Sequence, residues 1–167
     1  MGLIQEIAQG VGVTVPVAGH MISAYALGVV VGAPVIAIMC ARVPRKGLLL
    51  ALMLFFTVGN AATAFAPDFN SLVISRFIAG LPHGAYFGVA ALVAATLAGP
   101  PRRAQAVAHV MLGLTIATVI GVPFATWLGQ HLGWRSGFVF AAAIGALTIL
   151  AITVTLPKIA MATDASI

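Results

Sequence analysis

Four side chains in this sequence could do chemistry, and each stands inside an otherwise apolar stretch: Arg76, His83, Tyr25 and Asn60. Arg76 carries the most information. A guanidinium deep in hydrocarbon costs about 2.5–3.5 kcal/mol on insertion scales, so it should face a bundle interior or a wet cavity. The plainer alternative is an arginine that snorkels to the headgroups, because Asn70 and the nearby turn are only a few residues away. Gly80 and His83 lie one and two helical turns further on, so all three share a helix face. His83 could relay protons near neutral pH, but a histidine at such a place more often hydrogen-bonds a neighbouring helix. Tyr25 and Asn60 are deep enough to line a path, and Asn60 could equally act as glue between helices. Covalent catalysis has no support. No Ser or Cys stands in a motif with His, and the acids are only Glu6, Asp68 and Asp164, so neither a nucleophile–base pair nor paired carboxylates can be assembled. Metal-ligand spacing is absent as well, and no cofactor is implied.

The elements that must position these groups follow from charge. The runs 17–41, 47–65, 71–98, 104–129 and 136–156 hold one formal charge between them, Arg76. Each is near or above the roughly 20 apolar residues an α-helix needs to cross a bilayer core. The chain of 167 residues is 62% hydrophobic and 7% charged, where a soluble domain carries about 25% charged residues. The reading is an all-α membrane protein with five transmembrane helices and a single transmembrane domain over 1–167. A short helix and turn over 1–12 precede the first span, with Thr14 as its cap and Pro16 in its first turn.

The net charge of +5 does not point to nucleic acid, because the basic residues sit at span ends rather than on one face. Arg42, Arg45 and Lys46 follow the first span, Arg102 and Arg103 the third, and Lys158 the fifth. The opposite connectors carry Arg135 with Glu6 and Asp68. The positive-inside rule then puts the richer side in the cytoplasm, the N-terminus outside and the C-terminus inside. Residues 1–16 lack the basic start of a signal peptide, so an upstream span is expected. Trp127 and Trp134 suit the membrane interface.

Three spans carry small residues at every fourth position: Ala24, Gly28 and Gly32; then Gly80, Gly84 and Gly88; then Gly113, Ala117, Gly121, Ala125 and Gly129. Such stripes let backbones approach closely in lipid. The leucine-rich second span and the Phe/Ile/Leu-rich fifth look lipid-facing by contrast. Three inner helices flanked by two outer ones are expected, with Gly28, Gly32, Gly84, Gly113 and Gly121 at the contacts. Pro34, Pro82 and Pro123 interrupt the striped spans and should bend them.

The segments Ser23-Ala-Tyr-Ala-Leu-Gly28, Arg76-Phe-Ile-Ala-Gly-Leu-Pro-His-Gly84 and Gly133-Trp-Arg135, with Gly113, Gly121 and Pro123 in the fourth span, resemble the major facilitator superfamily. The similarity is to its drug–proton antiporters of the twelve-span type, in particular the sugar-efflux and arabinose-efflux permease-like members, and it covers nearly the whole chain. It implies proton-coupled efflux of a sugar or drug by alternating access in a bacterial inner membrane. It implies that Arg76 and Gly80 match the family's buried-arginine motif, which is linked to proton coupling. Gly113, Gly121 and Pro123 match its antiporter glycine–proline motif, and Arg42, Arg45 and Lys46 match the basic end of its inner-loop gating motif. In that loop Ala41 replaces the family's aspartate, and Ala37 and Pro44 replace its two glycines. The five spans correspond to the second to sixth of twelve, so the resemblance makes this an N-terminal half lacking its first span. The partners implied are the bilayer, a small-molecule substrate, protons, that first span and a second six-span half. The acceptor for Arg76 is expected among those absent spans. The rival reading is a structural or assembly half that does not transport without a partner.

The charge asymmetry generates a topology test. A membrane-impermeant thiol reagent added from outside should reach a cysteine introduced at position 68 and miss ones at positions 44 and 101. Labelling of all three from one side would overturn the orientation.

Overall fold

The computed structural model describes residues 3–157. Lys158, Asp164 and the polar tail lie outside the described residues. Six helices are present among them, and no strand. α1 (Ile4–Val11) is short. Five helices are long and apolar enough to cross a membrane: α2 (Val15–Met39), α3 (Arg45–Ala64), α4 (Phe69–Ala98), α5 (Pro100–Leu132) and α6 (Arg135–Thr155). Each lies over one of the five apolar runs. Tight turns join them, so the 40–44 and 99–102 connections share one end, called here the basic end. The α3–α4 and α5–α6 turns share the other with α1.

α1 is amphipathic and buries Ile7 and Ala8. Ile7 packs into a cluster with Met21, Ala66, Leu72 and Trp134. The helix stops at Gly12, whose φ of 71° is the left-handed conformation that ends helices without a Cβ penalty. Trp134 is only 5% exposed, because its indole lies across Gly10. It is thus a core residue at this end rather than a free interfacial anchor. Thr14 is in place at the start of α2 but makes no side-chain cap bond. Asp68 does cap α4: its carboxylate accepts from the Ser71 backbone N–H at 2.9 Å, and the Ser71 hydroxyl accepts from the Asp68 N–H.

The strongest seam is α2 on α4. A Cβ added at Gly28 would collide with the Phe77 carbonyl, one at Gly32 with the Leu81 backbone, and one at Gly80 with the Tyr25 carbonyl. At Gly84 it would meet Ala33 Cβ at 3.0 Å. The two backbones therefore touch, which small residues alone permit.

The expected division into inner and outer spans does not hold. α3 is the most buried span: Leu48, Leu49, Leu52, Met53, Gly59, Asn60, Thr63 and Ala64 are all buried. It runs between α4 and α6. On one side Gly59 faces Ala79, where an added Cβ would stand 2.8 Å from the Ala79 Cα, and Thr63 Oγ1 donates to Ser75 Oγ at 3.1 Å. On the other side Gly145 of α6 lies against Thr57. α5 departs in the opposite sense. Of its residues only Gly129 is buried, nothing lies near Gly113, and Gly121 meets only Ala117 of its own helix. The reason is physical. Lipid and protein interior are equally apolar, so a leucine run cannot say which it faces. The small and polar residues at Gly59, Asn60, Thr63 and Ala64 mark the buried face, and a small-residue stripe marks a possible seam without supplying its partner.

The helix runs through Pro34 and Pro82. Before Pro123, however, α5 widens into a π-helical turn at Ala117–Gly121, where the Val122 N–H bonds the Ala117 carbonyl five residues back. This extra residue accommodates the donor that proline lacks. At the basic end Lys46 Nζ donates to the Thr153 carbonyl at 2.9 Å and to the Leu156 carbonyl. The start of α3 is thereby tied to the last turn of α6, where unpaired carbonyls favour a cation.

The seam predicts an asymmetry between glycines. Gly32→Leu should cost about 1–3 kcal/mol or more by overpacking, whereas Gly113→Leu should leave stability nearly unchanged. Denaturant titration of helix content in mixed micelles would measure both.

Candidate functional site

The site forms where α4 turns one face toward the bundle interior. Arg76, Gly80 and His83 lie along that face, as their spacing requires. The Gly80–Tyr25 backbone contact draws α2 against α4 beside them. Tyr25 then spans both polar residues. Its ring lies 4.1 Å beneath the Arg76 guanidinium, and its hydroxyl is 2.9 Å from His83 Nδ1. A cation over an aromatic face gains about 0.5–2 kcal/mol, more where water is excluded.

α3 contributes Asn60. Its Nδ2 donates to the Phe56 carbonyl at 2.9 Å, which leaves Oδ1 to accept from Arg76 Nη1 at 3.3 Å. α6 contributes Phe138, 5.2 Å from the guanidinium. His83 packs edge-on to Phe87 at 5.2 Å and lies 6.2 Å from Phe56. The structure thus brings together the four residues singled out in the sequence, with Gly80 beneath them. The sequence reading puts the acceptor for Arg76 in spans outside this chain; within the chain Asn60 accepts from Nη1 and the Tyr25 ring lies against the guanidinium. The guanidinium is still not fully satisfied, because Nε is shut from solvent with no hydrogen-bond partner among the described residues.

Beside this cluster is a cavity of about 300 Å³. Arg76 and Thr126 are its polar lining, and Ile7, Met21, Ile22 and Phe138 supply apolar wall. α5 enters through Val122, Ala125 and Thr126, so the wall begins at the turn bearing Pro123 and does not include Gly113 or Gly121. Gly28, Gly32 and Gly84 lie in the α2–α4 seam. Of the loop residues, Lys46 ties α3 to α6, Arg42 is exposed and Arg45 is half-buried.

One residue escaped the sequence reading. The sequence reading places Glu6 only among the charges of the less basic side, yet its Oε2 is buried with no partner among the described residues. The usable signal was its place one helical turn before Gly10, on the face that Trp134 covers.

Residues 1–165 match the family described as the Major Facilitator Superfamily. The chain is 45% identical over 158 residues to the inner membrane transport protein YdhP of Escherichia coli, covering 95% of this chain and 41% of that protein. It is 40% identical over 159 residues to the putative transporter AraJ of the same organism, covering 95% and 40%. It is also 40% identical over 137 residues to a chloramphenicol resistance protein of Streptomyces lividans, covering 82% and 35%. The chain therefore spans about two-fifths of the length of these relatives.

Tyr25 should show two separable contributions. Tyr25→Phe loses the bond to His83 and keeps the ring, for about 0.6 kcal/mol. Tyr25→Leu also loses the cation–ring contact, for about 0.5–2 kcal/mol more. Denaturant titrations of the two variants against the parent would separate the steps, and equal losses would deny the ring its role.

Proposed function

We propose that this chain, which belongs to the major facilitator superfamily, is the greater part of one six-helix half of a proton-coupled transporter that exports a small molecule, a sugar or a drug, by alternating access across a bacterial inner membrane. One observation carries the reading: a guanidinium held inside the bundle at a cavity wall, stacked on Tyr25 and bonded to Asn60, with Nε lacking an acceptor among the described residues. A charge of this kind within a membrane bundle marks a pathway or coupling site. The names of the relatives, an inner membrane transport protein and a chloramphenicol resistance protein, support the class.

In this reading Arg76 sets the local potential. Its positive charge holds a nearby carboxylate ionised, and protonation of that acid frees the arginine for other acceptors. Among the described residues the interior of the spans holds no acid, so the proton-carrying carboxylate is assigned to the rest of the transporter or to Glu6. Tyr25 keeps the arginine in place, and His83 holds the Tyr25 hydroxyl. The α2–α4 pair moves as one body because its backbones interlock, and the π-turn before Pro123 supplies the compliance in α5. Arg42, Arg45 and Lys46 act at the gate on the basic end, which faces the cytoplasm. The partners are a further span and a second half.

A non-transporting assembly half is the alternative, favoured only by the share of the relatives' length that the chain spans. Proteoliposomes with an imposed pH gradient distinguish the two. In the complete transporter, Arg76→Ala should reduce gradient-driven export at least a hundredfold with normal membrane insertion. Arg76→Lys should also impair it, because lysine loses the planar fork that reaches Asn60 and a second acceptor together. Full export by Arg76→Ala would reduce the residue to a structural anchor.

A further inference from the structure

α3 and α6 run antiparallel, and a cation at the start of each donates to carbonyls at the end of the other. Lys46, the second residue of α3, donates through Nζ to the Thr153 carbonyl at 2.9 Å and to the Leu156 carbonyl. Arg135, the first residue of α6, donates through Nη2 to the Ala66 carbonyl at 2.9 Å, just past the end of α3. Carbonyls at a helix end have no partner in their own helix and favour a cation. The Arg135 guanidinium also lies 4.4 Å from the Trp134 ring, and Trp134 and Ala66 belong to one buried cluster. A snorkelling cation would reach along its own helix to the headgroups; both of these cross to the other helix.

Between the clasps the pair has one glycine contact, Gly145 on Thr57. A single close contact is a pivot. It fixes how near the helices stand and leaves the tilt between them free. At about 1.5 Å per residue the clasps lie roughly 15 Å to either side of it. α4 does not supply the missing constraint, because α6 packs chiefly on α3. Yet α6 carries Phe138, one turn after Arg135, 5.2 Å from the Arg76 guanidinium and in the wall of the cavity beside it. A tilt of about 10° at the pivot would move Phe138 by about 2 Å. Asn60 needs no such help, since α3 is seated on α4 at Gly59 and Thr63.

We propose that Arg135 and Lys46 are positioning residues for the Arg76 site: their reciprocal clasps fix the tilt of α6 on α3 and so hold Phe138 against the guanidinium. The Gly133-Trp-Arg135 segment thereby acts on the cavity from outside it.

Side-chain NMR of the protein in mixed micelles, with isotope-labelled arginine, reads the effect. The Arg76 Nε–H resonance, identified by its loss in Arg76→Lys, senses the Phe138 ring, and Phe138→Leu sets the full change. Arg135→Met should give about half of that change or more, and Lys46→Met a smaller change in the same direction. Arg135→Lys and Lys46→Arg keep a donor and should give almost none. In the Phe138→Leu background Arg135→Met should add almost nothing, because it acts through the ring. A residue that only stabilised the fold would lower the denaturation midpoint and leave the resonance in place. The proposal is overturned if Arg135→Met leaves the resonance unmoved with helix content intact, or moves it equally with and without the Phe138 ring. Lys46→Met, at the far end of the lever, applies the same test should Arg135→Met not fold. The consequence for export rests on the coupling role proposed for Arg76. In the complete transporter Arg135→Met should lower gradient-driven export at least tenfold, and Arg135→Lys should restore most of it. Unchanged export with a moved resonance would uphold the clasps and count against that coupling role.

Discussion

A guanidinium cannot be left bare in hydrocarbon, and the interior of this bundle is arranged around that constraint. Arg76 needs acceptors and aromatic faces that its own helix does not supply. They come from three other helices: the ring of Tyr25 on α2, the amide of Asn60 on α3 and the ring of Phe138 on α6. Each contact is worth only about one kcal/mol or a little more. Together they specify which faces of those helices turn inward.

The glycine seam makes this arrangement possible. Tyr25 reaches both Arg76 and His83 only because α2 lies backbone-to-backbone on α4, with Gly28, Gly32 and Gly80 at the contacts. In lipid no hydrophobic drive brings helices together, so close packing and buried polar contacts must do it. Here the two act along the same pair of helices. Close approach shortens the polar reach, and the polar cluster sets the rotation at which the helices meet. The far side of the same pair has no such cluster. There nothing stands within 4 Å of a Cβ added at Gly88, and the pair leaves open space rather than a seam.

α3 and α5 show where local pattern misleads. The leucine run of α3 suggested a lipid-facing helix, and the helix is the most buried of the five spans. The stripe of α5 suggested a packed one, and its Gly113 meets nothing. Apolarity distinguishes membrane from water but does not distinguish lipid from protein. Small residues permit contact without compelling it. The better marker on α3 was its polar and small stretch from Gly59 to Ala64, because a buried amide or hydroxyl must find a partner. Asn60 and Thr63 both do.

By itself the sequence determined the number of spans, their approximate ends, the one charge that had to be sheltered, and the helix face shared by Arg76, Gly80 and His83. All of these depend on the local periodicity of a helix and on the cost of charge in an apolar medium. It also carried the family, through motifs in fixed order. Only the tertiary structure decided what meets Arg76, that Tyr25 bonds His83, that α3 lies between α4 and α6, that Glu6 is partly shut from solvent, and that Arg135 reaches the Ala66 carbonyl. Those facts join residues from separate helices, tens of positions apart. They are set by the rotation and depth at which each helix packs, which apolar composition leaves open and which backbone contact and buried polar pairing settle.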